Sequence, residues 1–245
     1  MKLILLRHGE SKWNLLNKFT GWTDVGLTKK GIQEAQFSAK KILQEKILID
    51  TIYTSVLLRS THTSEIVADN VGFDKKNIKY DWRLNERHYG ALQGLNKSET
   101  AKKYGEEQVQ IWRRSYDIAP PLLSDDDKRH PRFNEKFKNI KNFPVGESLK
   151  DVIDRLNPFW NQYLKNIKKH PGNHLIVAHS NSLRAIVKIL DQLSNTEIIS
   201  VNIPTGVPLV YQFDNNLNII HKNYLIDKVK LKEKQTMVAN QGKAA

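Results

Sequence analysis

The chain has 245 residues, enough for one large α/β domain or two small ones with a substantial core. Hydrophobic residues make up 39% and charged residues 27%, an ordinary globular balance, and no apolar run approaches the ~18 residues of a membrane-spanning helix. With no cysteine there is no disulfide framework, thiol nucleophile or cysteine-ligated metal, and the net charge of +13 points to anionic partners only if the cations cluster.

The start, Met1-Lys2-Leu3-Ile4-Leu5-Leu6-Arg7, has a short apolar run and then a charge, so residues 2–6 read as a buried strand rather than a signal peptide. A cytoplasmic location is expected. Thr28 caps a helix whose inner face is Ile32, Ala35, Ala39, Ile42 and Leu43. Residues 51–54 form a short strand; Ser55 caps the helix that follows, which ends near Gly72. Residues 78–82 read as another strand. Residues 117–145, rich in prolines and charges, fit no regular element and read as an excursion over one face. Ser148 caps a long helix burying Leu149, Val152, Ile153, Leu156, Trp160, Tyr163, Leu164 and Ile167, which Pro158 should kink. A strand over 174–178 and a helix over 182–193 follow, and 208–213 with 217–224 suggest a terminal hairpin. The tail from Asp227, carrying Lys228, Lys230, Lys232 and Lys234, is expected to be mobile and to order over the pocket. Strand alternating with helix predicts one three-layer α/β domain over 1–245: a mostly parallel sheet, helices on both faces and one antiparallel element.

Arg7-His8-Gly9 falls just past the first strand, where open α/β sheets bind ligands. A histidine there can be a general base, a metal ligand or a nucleophile. Ala178-His179-Ser180-Asn181 is a second strand-to-helix turn with a histidine, so both rings can face one pocket. Arg59 sits in the first turns of a helix, which also favours anions. Arg7, Arg59, His8 and His179 together would surround a tetrahedral dianion, as phosphoryl transfer requires. No carboxylate cluster with metal-ligand spacing adjoins either histidine, so a metal-free site is expected. Glu86, in Arg83-Leu84-Asn85-Glu86-Arg87-His88-Tyr89-Gly90 after another strand, is a candidate general acid/base.

These motifs resemble those of the histidine phosphatase superfamily and, within it, the cofactor-dependent phosphoglycerate mutases. The likeness rests on Leu6-Arg7-His8-Gly9-Glu10-Ser11-Lys12-Trp13-Asn14, Phe19-Thr20-Gly21-Trp22, Leu84 to Gly90, Trp112-Arg113-Arg114-Ser115-Tyr116, Pro204-Thr205-Gly206-Val207-Pro208 and Val238-Ala239-Asn240-Gln241-Gly242-Lys243, nearly the whole chain. The resemblance implies interconversion of 3-phosphoglycerate and 2-phosphoglycerate, primed by 2,3-bisphosphoglycerate. It implies that His8 is phosphorylated, that Glu86 moves protons, and that His179 stabilises the transferring group. Arg7 and Arg59 would bind its oxygens with Asn14 beside them, and Thr20 and Gly21 would touch substrate. Arg87, Tyr89, Lys97, Arg113 and Arg114 would form an outer pocket for the carboxylate and second phosphate. Ser11, Ser180 and Asn181 complete the expected substrate-binding set, although the family usually has glycine in place of Ser180. The excursion around 90–145 is expected to close the pocket against water, because exposed phosphohistidine hydrolyses. The family also implies a homodimer or homotetramer.

Three alternatives remain to be weighed. A bisphosphoglycerate synthase on the same fold is expected to lack Ser11 and alter Thr20-Gly21, and a phosphatase to lack Arg113-Arg114. A basic nucleic-acid-binding protein would need a basic face interleaved with aromatics, whereas these lysines are scattered. Neither nucleic acid nor membrane is therefore expected as a partner.

Overall fold

The structure is a computed structural model and describes residues 1–241 and 243; Gly242 of the tail motif, with Ala244 and Ala245, lies outside the described residues. In chain order β1 (Lys2–Arg7), the one-turn α1 (Lys12–Leu15), α2 (Lys29–Gln44), β2 (Thr51–Thr54), α3 (Leu58–Val71) and β3 (Lys79–Tyr80) form the first part. Next come α4 (Lys97–Tyr104), α5 (Glu106–Arg114), α6 (Leu149–Lys169), β4 (His174–Ala178) and α7 (Ser180–Leu190). The chain ends with α8 (Glu197–Ser200), β5 (Leu209–Phe213), β6 (Ile219–Tyr224) and α9 (Lys228–Asn240).

The six strands make one sheet in the order β3-β2-β4-β1-β5-β6. β1 to β4 run parallel, and β5 runs antiparallel to both its neighbours. Side chains alternate across the sheet as the pleat demands. Leu3, Leu5, Ile176 and Tyr211 pack on one face against Val152, Leu156 and Trp160 of α6 and Leu183 and Ile186 of α7. Ile4, Leu6, Leu175, Val177 and Val210 pack on the other against Ala39 and Ile42 of α2 and Val67 and Ala68 of α3. Both faces are covered, so the parallel strands read as near-continuous apolar runs.

The register places the site. Arg7 pairs with Ala178 and Thr54 with Val177, so β1, β4 and β2 end side by side and their next residues (His8, His179 and Ser55) emerge together. Backbone contact then holds the His8 turn. A Cβ on Gly9 would lie 2.1 Å from the Gly31 carbonyl oxygen, and one on Gly31 would lie 2.1 Å from the Glu10 carbonyl oxygen. Glycine at both positions lets the start of α2 press directly on the turn.

Several elements differ from the sequence reading. Ser55 does not cap α3: the N-cap is Leu57, without a side-chain bond, and the Ser55 hydroxyl instead meets His179 Nε2 at 2.7 Å. The strand expected over 78–82 shrinks to two residues, because Asp81 caps a 3-10 turn at Trp82–Leu84. Residues 117–145 are not wholly irregular: two 3-10 turns, Pro131–Phe133 and Glu135–Phe137, bury Phe137 against Trp22 and Leu57. The tail is not without regular structure either. Asp227 caps α9, and Lys234 pairs with Glu34 of α2 at 3.3 Å. Pro158 lies inside α6, which continues as one element to Lys169.

Candidate active site

His8 is 2% exposed and His179 fully buried, with ring centroids 5.0 Å apart. His8 Nδ1 lies 2.7 Å from the Gly9 carbonyl oxygen. A carbonyl only accepts, so Nδ1 carries the proton and Nε2 keeps its lone pair. Arg59 Nε donates to that Nε2 at 3.3 Å, while its other nitrogens donate to the carbonyls of Thr23 at 3.0 Å and Gly21 at 2.8 Å. Gly21 has φ +53°, and a Cβ there would meet Gln93 Oε1 at 2.1 Å; glycine therefore lets this loop deliver its carbonyl to Arg59. Arg7 is anchored by one nitrogen to the Ile203 carbonyl at 2.8 Å, and Gly206 N–H donates to the Arg7 carbonyl at 3.0 Å. The Pro204–Pro208 motif thus braces Arg7 from behind. Arg7 Nε and His179 Nδ1 are buried without a partner among the described residues, leaving donor or acceptor capacity for a ligand.

Arg7, His8, Asn14, Thr20, Gly21, Arg59, Glu86, Tyr89, Lys97, Arg113, Arg114, Ser180 and Asn181 all line one pocket. Three expected residues do not. His179 is fully buried and packs against His8, with ring centroids 5.0 Å apart, instead of lining the pocket itself. Arg87 is fully buried and donates to the carbonyls of Trp112 and Arg113, each at 2.8 Å, so it holds the end of α5 from behind the wall. Ser11 is also fully buried and forms a capping box with Asn14 on α1. It orients Asn14 rather than facing the pocket. Lys18, Val238 and Gln241 line the pocket and were not among the expected site residues. Ser55 and Lys18 have no motif of their own, and only the register and the loop geometry bring them in. Val238 and Gln241 belong to the tail motif, which carried the signal. α9 seats them there through Arg114, which donates to the Val238 carbonyl at 3.3 Å, and Lys97, which donates to Gln241 Oε1 at 3.3 Å.

Six cations (Arg7, Lys18, Arg59, Lys97, Arg113 and Arg114) thus surround one carboxylate, Glu86. Glu86 Oε1 accepts from Arg87 N at 2.8 Å, Asn181 N at 3.1 Å and Asn181 Nδ2 at 3.0 Å. Arg184 donates to Asn181 Oδ1 at 2.9 Å, so the Asn181 amide must turn its NH2 toward Glu86. Burial, then Arg113, Arg7 and Arg114, hold the Lys97 ammonium well below its ordinary range. Arg59 and Arg113 are each pushed down to about 10, first by burial and then by charges that include neighbouring arginines. This repulsion is relieved when a polyanion enters, and that relief favours binding.

Burial, then Arg59, hold both His8 and His179 well below the usual imidazole value. His88 is lowered to about 3, by burial first and then by His130 and Arg155. All three are neutral in the folded chain at pH 7. Above about pH 6.5 the unfolded chain is neutral at these positions too, but below it only the unfolded state takes up the protons. Folding stability should therefore fall as pH drops from about 6.5, by up to ~1.4 kcal/mol per pH unit for each histidine, with His88 contributing down to about 3. Denaturant titrations at pH 7.5 and 5.5 in phosphate-free buffer measure this; equal stability at both would contradict neutral buried imidazoles.

A mostly parallel sheet with paired histidines at adjacent strand ends, ringed by arginines, defines a phosphoryl-binding protein of the α/β class. The chain belongs to the histidine phosphatase superfamily (branch 1), whose family profile matches residues 3–125 and 122–222. It is 52% identical over 245 residues to the 2,3-bisphosphoglycerate-dependent phosphoglycerate mutase of Treponema denticola, with 99% of each chain covered. The protein of the same description from Elusimicrobium minutum is 48% identical over 244 residues, covering 99% of this chain and 98% of the relative. Among solved structures, a mycobacterial glucosyl-3-phosphoglycerate phosphatase in complex with VO3 shares the fold, with a TM-score of 0.68 at 20% identity over 91% of this chain and 96% of that one.

Proposed function

We propose that this chain interconverts 3-phosphoglycerate and 2-phosphoglycerate through a phosphohistidine at His8, with 2,3-bisphosphoglycerate as primer. Relatives near 50% identity, matched over 98–99% of their length, are 2,3-bisphosphoglycerate-dependent phosphoglycerate mutases, which supports this reading. The observation that carries the reading here is the His8 Nε2 lone pair, presented among six cations and one carboxylate in one pocket. A primer bearing two phosphates and a carboxylate fits that donor set, including the unpartnered Arg7 Nε.

The primer supplies the first phosphoryl group. His8 Nε2 accepts it by attack at phosphorus, and Arg7, Arg59 and His179 stabilise the charge on its equatorial oxygens. Glu86 gives a proton to the departing alkoxide oxygen and takes one from the attacking hydroxyl on return. Lys97, Arg113 and Arg114 hold the remaining anionic groups while the glycerate turns over, and Val238 of α9 and Gln241 just beyond it limit water access to His8. No metal is needed in this scheme, because the fixed cations supply the charge stabilisation.

In a steady-state assay the rate from 3-phosphoglycerate is expected to rise with added primer and saturate; a rate indifferent to primer overturns the reading. Arg113→Gln combined with Arg114→Gln removes two charged contacts, each worth ~1.5–3 kcal/mol. Such a change should raise the KM for 3-phosphoglycerate at least ~10-fold. An unchanged KM would show that these arginines do not hold the substrate.

A further inference from the structure

Glu86 stands past the 3-10 turn Trp82–Leu84 on a stretch without helix or strand. Regular secondary structure therefore does not fix where its carboxylate points. A buried ion pair from another part of the chain holds the backbone that carries it. Arg155, midway along α6, and Glu147, next to the Ser148 cap, meet at 2.6 and 3.0 Å with side chains 6% and 3% exposed. The same guanidinium donates to the carbonyls of Arg83 at 2.8 Å, Asn85 at 3.3 Å and Glu86 at 3.3 Å. Glu147 Oε2 accepts from His88 N–H at 2.7 Å. Trp22 Nε1 donates to the Glu86 carbonyl at 2.7 Å, and the rings of Trp22 and Trp82 lie 5.8 and 6.0 Å from the guanidinium.

The backbone is thus gripped before Glu86, at it and beyond it. A buried ion pair is weak evidence for stability by itself, since well-packed apolar residues often do as well. What apolar residues cannot do is bind the carbonyls of residues 83, 85 and 86 and an N–H in fixed directions. Lysine cannot do it either, because it lacks the planar fork.

We infer that Arg155 and Glu147, with Trp22, are positioning residues for Glu86. They set where its free Oε2 meets the oxygen that leaves phosphorus. This inference rests on the reading of Glu86 as proton donor. In that step the bond from phosphorus to His8 Nε2 forms, the bond from phosphorus to the leaving oxygen breaks, and the proton moves from Glu86 to that oxygen. A strongly basic alkoxide needs the proton, whereas a nitrophenolate leaves without it.

The test measures single-turnover phosphorylation of His8 by 2,3-bisphosphoglycerate and by aryl phosphates of falling leaving-group basicity. It compares wild type, Arg155→Lys, Glu147→Gln, the milder Trp22→Phe and the control Glu86→Gln. Arg155→Lys and Glu147→Gln should lose on the order of 100-fold with bisphosphoglycerate but stay within about threefold of wild type with p-nitrophenyl phosphate. Trp22→Phe should show the same steepening to a smaller extent, and it keeps the test decisive if the other two do not fold. If Glu86→Gln steepens the leaving-group dependence and the soluble clamp variants do not, or if they slow all donors equally, the positioning role is overturned. A flat dependence in Glu86→Gln overturns the proton-donor reading instead.

Discussion

Replacing His8 with asparagine should lower mutase turnover by about 10⁴-fold or more, as removal of a covalent nucleophile generally does. The substitution is chosen to separate chemistry from folding. An asparagine NH2 can still donate to the Gly9 carbonyl that Nδ1 now meets at 2.7 Å, and the glycine-to-backbone contacts of the turn are untouched. What disappears is Nε2, the atom to which Arg59 donates. Arg59 keeps its bonds to the Thr23 and Gly21 carbonyls, so the clamp stays in place without a nucleophile in it. Steady-state assay with circular dichroism as the folding control reads the outcome. Turnover within ~100-fold of wild type would mean that phosphorus never passes through His8.

Glu86→Gln is the second large effect, and its sign on binding is as informative as its size. Glutamine keeps an oxygen for the three N–H groups that now reach Oε1, so local structure should survive. It loses the proton that the leaving oxygen needs, a change worth ~10²–10⁴ in kcat for a general acid. It also removes the one carboxylate from a pocket lined by six cations, so anions should bind at least as tightly as before. The expected result is a kcat lowered ~10³-fold with a KM unchanged or lower. A raised KM with an unchanged kcat would make Glu86 a binding residue only.

The central sheet and the inner site were legible in the sequence because their signals are local. β1 and β4 are short apolar runs and β2 a short β-branched and aromatic one, and the chemistry-bearing residues follow directly: His8 after Arg7, His179 after Ala178. Thr28 and Ser148 announced their helices because capping is a short-range hydrogen bond. What escaped depends on contacts between distant segments. α4 and α5 read as part of an excursion because their apolar face, Ala101 and Val109, is small and packs on Phe19 and Leu92 rather than on the sheet. α9 has one buried residue, Val238, among many lysines, so no periodic pattern marks it; its position comes from Arg114, Lys97 and Glu34 elsewhere in the chain. The family resemblance implied that Arg87 is part of the outer pocket. On the irregular stretch after the 3-10 turn its side chain turns away instead, behind the wall, to the carbonyls at the end of α5. Ser55 looked like a cap because serine before a helix usually is one. The lateral register of β2 and β4 gave it His179 as a closer partner.

The phosphohistidine is the feature on which all the chemistry depends, and intact-mass measurement after brief incubation with 2,3-bisphosphoglycerate tests it most directly. The expected result is one added phosphoryl group per chain, lost in acid, stable in base, located at His8 on fragmentation and discharged by 3-phosphoglycerate. No acid-labile phosphoryl group on the wild type, or an equal amount on His8→Asn, would contradict it.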